Sequence, residues 1–229
     1  MPLGITVVDY GMGNLRSVAR AVEHASQGRA RVEVSDQAQA IRQADGIVLP
    51  GQGAMRDCMA ELNARRLIDP IRECLGRKPM LGICMGLQVL FEFSEEDPDT
   101  PGFGHLKGDS VRLDPGSDES GSPERKIPHI GWNRVRQTRI GASDAADAAD
   151  AAVHPLWRGI ADEERFYFAH SYRVRPKDPA LVAGCCDYGG EFTAAVAAER
   201  LFAVQFHPEK SQRAGLALLT NFIDWAGQT

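Results

Sequence analysis

Short apolar runs alternate with segments of helical periodicity through the first half of the chain. The runs predict strands at Ile5–Asp9, Arg31–Val34, Gly46–Leu49 and Met80–Ile83. The segments between them predict helices at Leu15–His24, Asp36–Arg42 and Met55–Leu75. This alternation favours βαβ units, and continuously apolar strands are typical of a parallel sheet that is covered on both faces.

The pattern changes after Glu92, where acidic segments rich in proline and glycine predict exposed loops at Ser94–Gly104 and Asp114–Pro123. Short strands then dominate, at Arg165–His170, Phe192–Ala198 and Leu201–Phe206, and a final helix follows at Gln212–Trp225. We expect a single α/β domain over residues 1–229, with a central, mostly parallel sheet flanked by helices and a smaller antiparallel sheet. An Asp-Ala-Ala repeat at Asp144–Ala152 predicts an insertion, in the form of a surface helix or loop, without a chemical role.

Charge and composition exclude several classes of protein. The 229 residues carry a formal net charge of −5 without a long basic run, which argues against binding nucleic acid through bulk electrostatics. There is no apolar stretch long enough to span a membrane, and the N-terminus enters a strand without a basic leader, so we expect a cytoplasmic protein.

The five cysteines are an odd number in a long chain, and none forms a C-x-x-C pair. A disulfide framework and a structural zinc are therefore both disfavoured. Cys58 and Cys74 lie in a predicted helix, whereas Cys185 and Cys186 lie in an apolar strand-like run. We interpret these four as packing residues.

The remaining cysteine stands in Gly82-Ile83-Cys84-Met85-Gly86, between an apolar strand and a helix-like run. G-x-C-x-G is the spacing of a nucleophile elbow, and the flanking glycines let the backbone turn sharply. A helix that follows would direct its amides and its dipole at the sulfur and favour the thiolate. By itself the pattern is equally compatible with a buried packing cysteine.

A second motif, Val204-Gln205-Phe206-His207-Pro208-Glu209, places a histidine and a glutamate two residues apart on an extended strand end, so both face the same side. A nucleophile, a base and an acidic group that orients the base form a catalytic triad. We therefore pair Cys84 with His207 and Glu209.

The loop Pro50-Gly51-Gln52-Gly53 follows a predicted buried strand and can expose backbone N–H groups to an oxyanion beside the cysteine. The same composition also suits an ordinary turn. Neither this loop nor Asp9–Asn14 matches a phosphate-binding or dinucleotide motif, so we expect no cofactor.

Together these motifs resemble the class I glutamine amidotransferases, which have a flavodoxin-like domain. The resemblance implies that Cys84 attacks the side-chain amide of glutamine, that His207 protonates the departing ammonia, and that Glu209 orients His207. It assigns the oxyanion hole to the backbone amides of Gln52 and Met85. It assigns substrate binding to Gly51, Gly53, Gln88, His170, Ser171 and Tyr172.

Three further blocks, residues 8–17, 128–133 and 167–172, resemble the glutaminase subunits of imidazole glycerol phosphate synthases. The resemblance implies a heterodimer with a (β/α)8-barrel cyclase and an interface that includes Asn14, Trp132 and Lys210. From the residues alone, Asn14 also suits a helix N-cap, Trp132 a core aromatic and Lys210 a solvated charge.

Three other functions stay open at this point. The chain could supply ammonia to a different synthase, such as one that forms aminobenzoate or anthranilate. It could be a stand-alone cysteine hydrolase of esters or amides. It could also be a binding module that retains the fold without catalysis, although the complete triad argues against this.

Overall fold

The structure, a computed structural model, describes residues 2–116, 125–139 and 153–228. Five parallel strands form one half of the sheet. Their spatial order is β2 (Ala30–Ser35), β1 (Leu3–Val8), β3 (Gly46–Leu49), β4 (Met80–Ile83) and β13 (Leu201–Val204). All five carboxyl ends lie at one edge of the sheet, where open α/β folds place their ligands.

Helices cover both faces of this parallel half. They are α1 (Leu15–Ser26), α2 (Ala38–Gln43), α3 (Met55–Ala64), α4 (Ile68–Cys74), α5 (Met85–Gln88) and α6 (Gln212–Ala226). Alternate strand residues divide the core into two clusters: Val7 packs with α1 and α6, whereas Val8 packs with α2, α3 and α4. Because both clusters are apolar, the central strands are buried on both faces, which explains their uninterrupted hydrophobic sequences.

The remaining strands extend the same sheet. They are β5 (Phe93–Ser94), β6 (Asp97–Pro101), β7 (Gly108–Arg112), β8 (His129–Gln137), β9 (Glu164–His170), β10 (Tyr172–Pro176), β11 (Val182–Asp187) and β12 (Glu191–Ala198). β12 pairs antiparallel with β13, β10 and β11, and β11 pairs with β8, which in turn pairs antiparallel with β9. The expected α/β class is therefore confirmed, but the mostly antiparallel part is continuous with the parallel strands and is not a separate, smaller sheet.

Two predicted elements were wrong. Met55–Leu75 is not one helix, because the chain breaks between α3 and α4 and Arg66 adopts a φ of 58°. Ser94–Gly104 is not only loop, because it contains β6, which pairs with β5. Most of Asp114–Pro123 and all of Asp144–Ala152 lie outside the described residues. None of the helices in the described ranges has the length and apolar character that a membrane span requires.

Candidate active site

Four neighbouring strands deliver the candidate catalytic residues to one edge of the sheet. Cys84 follows β4, His207 follows β13, the 50–53 loop follows β3, and Tyr10 follows β1. The amide of Cys84 donates to the carbonyl of Val204 at 2.8 Å, so the ends of β4 and β13 stay paired up to the nucleophile. The sheet order thus joins motifs that lie far apart in the sequence.

The backbone at Cys84 makes the sharp turn that its flanking glycines predicted. Its φ and ψ are 55° and −105°, a region that side-chain-bearing residues rarely adopt. A Cβ at Gly86 would lie 1.8 Å from the carbonyl oxygen of Leu49, and one at Gly82 would lie 2.7 Å from that of Gly86. Both glycines are therefore required by close backbone packing.

The helix after the nucleophile is shorter than expected. α5 contains only Met85–Gln88, a single turn, and the chain then continues in tight turns to Phe91. A macrodipole comes from the alignment of successive peptide units, so one turn supplies only a small part of it. The expected helix-dipole stabilisation of the thiolate is correspondingly weak.

His207 and Glu209 form a buried pair beside Cys84. Nδ1 of His207 donates to Oε1 of Glu209 at 2.9 Å, and the two side chains are 3% and 2% exposed. Burial opposes protonation of His207, but its hydrogen bonds with Cys84 and Glu209 and the charges of these groups outweigh burial and raise its pKa to about 9. The imidazole is thus held ready to carry a proton next to the sulfur.

The backbone of His207 is held by Tyr167 and Ser211. The amide of His207 donates to the carbonyl of Tyr167 at 2.8 Å, and the buried hydroxyl of Ser211 donates to the carbonyl of His207 at 2.7 Å. Ser211 also accepts from the Tyr167 amide at 3.0 Å. Ser211 was not expected at the site, because a serine before a helix is an ordinary cap signal.

Two carbonyl groups of the 50–53 loop, those of Pro50 and Gln52, accept hydrogen bonds from side chains that pack against the loop. Tyr10 donates its hydroxyl to the carbonyl of Pro50 at 2.8 Å, and the Cys58 thiol donates to the carbonyl of Gln52 at 3.3 Å. A Cβ at Gly51 would lie 2.3 Å from the Tyr10 hydroxyl oxygen. Met85, the other expected oxyanion donor, occupies the first helical position, where an amide has no intrahelical acceptor.

A cavity of about 350 Å³ opens onto the sulfur. Most of the expected site residues line it: Gln52, Gly53, Cys84, Met85, Gln88, His170, Ser171, Tyr172 and His207. Gly51 does not line the cavity, because it lies buried against Tyr10 and Met85. Pro128 and Ile130 lie at the rim and were not anticipated.

Glu96 also lines this cavity, and its carboxylate accepts from the amide of Met55 at 3.4 Å. Glu96 lies in the segment that was predicted to be an acidic, exposed loop, and this composition gave no sign of a site residue. Glu96 thus adds a carboxylate to a cavity whose lining residues include His207 but no lysine or arginine.

The amide of Gln88 is fully engaged within the protein. Its Nε2 donates to the Tyr172 carbonyl at 3.3 Å and to Oε1 of Gln205 at 3.1 Å, while its Oε1 accepts from Ser110 at 3.1 Å. Gln205 was not anticipated as a site residue. The available signal was a polar residue between the apolar strand β13 and Phe206.

The ring of His170 faces the cavity, but its two nitrogens are both occupied. Nδ1 donates to the carbonyl of Tyr172 at 2.8 Å, and Nε2 accepts from Nδ1 of His129 at 3.0 Å. Burial lowers the pKa of His129 to about 4 and that of His170 to about 3, so both are neutral at physiological pH. His170 can therefore offer a substrate only ring carbon surface.

The three expected interface residues lie outside the lining of the cavity. Trp132 is 42% exposed and meets the edge of Tyr167, and Nζ of Lys210 lies 5.7 Å from the centre of the same ring. Asn14 is exposed and caps α1, and the neighbouring Gly13 packs on Gly51. The core interpretation of Trp132 is therefore wrong, while the cap interpretation of Asn14 is confirmed.

The other thiols are poor candidates for chemistry. All five cysteines are free and buried, and burial raises the pKa of Cys58 and Cys185 to about 11 and that of Cys186 still further. Within the described ranges, no group of three His, Cys, Asp or Glu side chains could hold a metal ion.

Comparison with known families places this geometry in context. The profile described as Glutamine amidotransferase class-I matches residues 6–225. Imidazole glycerol phosphate synthase subunit HisH of Aromatoleum aromaticum is 50% identical over 223 residues, covering 97% of this chain and 98% of that protein. The HisH subunit of Thiobacillus denitrificans is 51% identical over 227 residues, covering 98% and 92%.

Solved structures share the fold at low sequence identity. PurLQS from Thermotoga maritima matches with a TM-score of 0.67 and 20% identity, covering 100% of this chain and 99% of that one. The glutaminase domain of Trypanosoma brucei CTPS, with bound acivicin, matches with a TM-score of 0.65 and 17% identity, covering 99% and 94%.

Proposed function

The chain belongs to the class I glutamine amidotransferase family, and from this premise we propose that it is the glutaminase subunit of an imidazole glycerol phosphate synthase in histidine biosynthesis. The observation that carries the proposal is the convergence of Cys84 with the buried His207–Glu209 pair at one cavity. The HisH relatives, alike over nearly the full chain, support the choice of synthase.

In the proposed reaction, the Cys84 thiolate attacks the side-chain carbonyl carbon of glutamine. The backbone amides of Gln52 and Met85 hold the oxyanion that forms. The imidazolium of His207 gives its proton to the departing nitrogen, so that ammonia leaves and a thioester remains. His207 then takes a proton from water as the water attacks the thioester, which releases glutamate and restores the thiolate.

The cavity lining suits the rest of the substrate. Free glutamine carries an ammonium group, and the Glu96 carboxylate supplies a negative charge at this cavity. Gln52 and Gly53 lie on the oxyanion side, and Ser171 and Tyr172 lie on the β9–β10 side. These positions form a site for a small polar amide.

The proposed partner is a (β/α)8-barrel cyclase subunit, which would dock on the cavity mouth through Asn14, Trp132 and Lys210. Trp132 and the 62% exposed Ile130 give this surface an apolar centre. Ammonia would pass internally to the barrel and close the imidazole ring, giving imidazole glycerol phosphate and an aminoimidazole carboxamide ribonucleotide. Five free thiols suit the cytoplasm, where we place the complex.

The test is Cys84→Ala in the reconstituted complex. Glutamine-dependent product formation should be lost, while formation from added ammonium salts should continue, because the acceptor chemistry belongs to the partner. Glutamine turnover at the parent rate would exclude Cys84 as the nucleophile. Failure to copurify with the cyclase would point to a different synthase, and strong hydrolysis of simple esters by the chain alone would indicate a stand-alone hydrolase.

The same preparation tests coupling between the subunits. We expect slow glutamate release by the isolated chain and faster release by the complex with its ribonucleotide. Glycines at 51 and 53 permit the 50–53 loop to rotate a peptide at low cost. One oxyanion donor is worth roughly 10²–10³ in turnover, enough to act as a switch. Equal rates in both states would exclude coupling and leave the glutaminase assignment intact.

A further inference from the structure

Gln205 directs its side-chain amide at the nucleophile from a fully buried position. It follows β13 beside β4, and its Nε2 lies 3.7 Å from the sulfur of Cys84. We propose that Gln205 is a further catalytic residue: a fixed hydrogen-bond donor to the Cys84 thiolate, held in that orientation by Gln88. The inference rests on the proposed function, since it concerns the same cysteine.

The backbone carbonyl of Tyr172 fixes the orientation of the Gln88 amide, which in turn fixes the orientation of the Gln205 amide. The carbonyl of Tyr172 can only accept, so the amide group that lies 3.3 Å from it must be the NH₂ of Gln88. The other proton of that NH₂ then goes to the Gln205 oxygen, 3.1 Å away. The NH₂ of Gln205 is left on the side that faces the sulfur.

The opposite orientation is disfavoured at two contacts. Rotating the Gln205 amide would bring its NH₂ against the NH₂ of Gln88 and its oxygen against a thiolate. Rotating Gln88 as well would turn that side chain's oxygen toward the Tyr172 carbonyl, which cannot donate. In a buried network such mismatches cannot be relieved by water, so a single donor direction prevails.

A hydrogen bond from Gln205 would stabilise the Cys84 thiolate, which α5 stabilises only weakly. The one-turn helix contributes little dipole, and Cys84 is only 6% exposed, so solvent gives its thiolate little support. His207 cannot serve as a constant donor, because it gives up its proton to ammonia during the reaction. An amide does not titrate, so Gln205 can donate to the sulfur both in the resting enzyme and when the thioester is cleaved.

The test measures alkylation of Cys84 by iodoacetamide as a function of pH, using the full-length chain without glutamine or partner. Mass spectrometry of the peptide that contains Cys84 separates it from the other thiols. Gln205→Met keeps the approximate volume but removes the donor, and should raise the pH midpoint by roughly 1–2 units, as expected for a hydrogen bond to a charged group. Gln205→Glu keeps the shape and should raise the midpoint further, because it adds an anion beside the sulfur.

Ser110→Ala is the matched control, since Ser110 is fully buried in the same network without contacting the sulfur. Its midpoint should equal that of the parent, because the Tyr172 carbonyl still orients Gln88. An unchanged midpoint in Gln205→Met overturns the proposal. If that variant does not fold, an unchanged midpoint in the isosteric Gln205→Glu does so. Either result would leave glutamine hydrolysis by the parent chain, and thus the proposed function, unaffected.

Discussion

At the scale of single residues, three buried histidines near the cavity differ in their protonation. His207 is nearly fully buried, and an isolated buried histidine would stay neutral. His129 and His170 behave in that way nearby, whereas Cys84 and Glu209 give His207 two acidic neighbours. The difference between a protonated His207 and two neutral histidine rings thus comes from their neighbours and not from burial.

Glu209→Gln should shift the alkaline limb of the glutaminase pH profile to lower pH. With a raised pKa near 9, the imidazolium persists up to about pH 9 and is lost above it. Removing the Glu209 charge lowers that pKa, so activity should decline at lower pH. The measurement is the rate of glutamate release by the complex across pH.

His207→Asn should abolish the limb and cost roughly 10²–10⁴ in rate, more than Glu209→Gln, because it removes the group that transfers the proton. An alkaline limb that stays in place in Glu209→Gln would contradict the role assigned to the glutamate.

Residue spacing indicated the three residues that converge, Cys84, His207 and Glu209, but not the residues that contact them. The elbow glycines and the His-x-Glu pair are local patterns whose chemistry can be read from sequence. Gln205, Glu96 and Ser211 act through partners in other strands and loops, so only the pairing of strands shows what they touch.

At the scale of elements, the elbow depends on how closely β3 and α5 approach. Gly86→Ala should destabilise the fold by roughly 1–3 kcal/mol, because the added carbon would overlap the backbone carbonyl of Leu49. The urea midpoint of unfolding measures the loss. Gly227→Ala is the control, since its nearest atoms lie 3.6 Å from the added carbon and its φ is −79°. Equal midpoints for the two variants would mean that the elbow relaxes without cost.

Elements with a full apolar period were predicted well, and short or interrupted elements were not. β3 and β4 match their predicted bounds, because each is a short run of four residues that are all buried, which is typical of a central parallel strand. The break at Arg66 separates two helices that share one apolar face, so the periodicity continues across it. β6 is mostly exposed and rich in proline and aspartate, so its pairing with β5 leaves no hydrophobic signal.

At the scale of the whole molecule, buried neutral histidines should make the fold sensitive to acid. Burial lowers the pKa of His154 to about 4. Between about pH 4 and pH 6.5, His154 is therefore protonated in the unfolded chain and neutral in the folded chain. The free energy of unfolding therefore rises with pH in this window, by about 1.4 kcal/mol per pH unit for each such histidine.

His154→Asn should lower the slope of the free energy of unfolding against pH by about 1.4 kcal/mol per pH unit. Asparagine keeps an acceptor for the Leu156 amide, which His154 Nδ1 now caps at 3.2 Å, but it does not titrate. Denaturant unfolding at several pH values between 4.5 and 6 gives the slope. An unchanged slope would show that His154 is protonated in the folded protein.

The Asp/Ala repeat should be dispensable. Arg139 and Val153 pair as a β-bridge, so the two ends of the intervening segment are already adjacent. Replacing residues 143–151 with a short Gly/Ser linker should leave the unfolding midpoint and glutaminase activity unchanged. Loss of complex formation in this variant would assign the repeat a binding role.

The exposure of Trp132 has a consequence for spectroscopy. The chain has three tryptophans, of which Trp157 and Trp225 are 1% and 9% exposed, whereas Trp132 is 42% exposed. Iodide in solution should therefore quench mainly the emission of Trp132, and the quenched component should have the longest wavelength. A partner protein that covers Trp132 would shift its emission to shorter wavelength and shield it from iodide. The protein thus carries its own fluorescent reporter of docking, without a label and at the surface where docking is proposed.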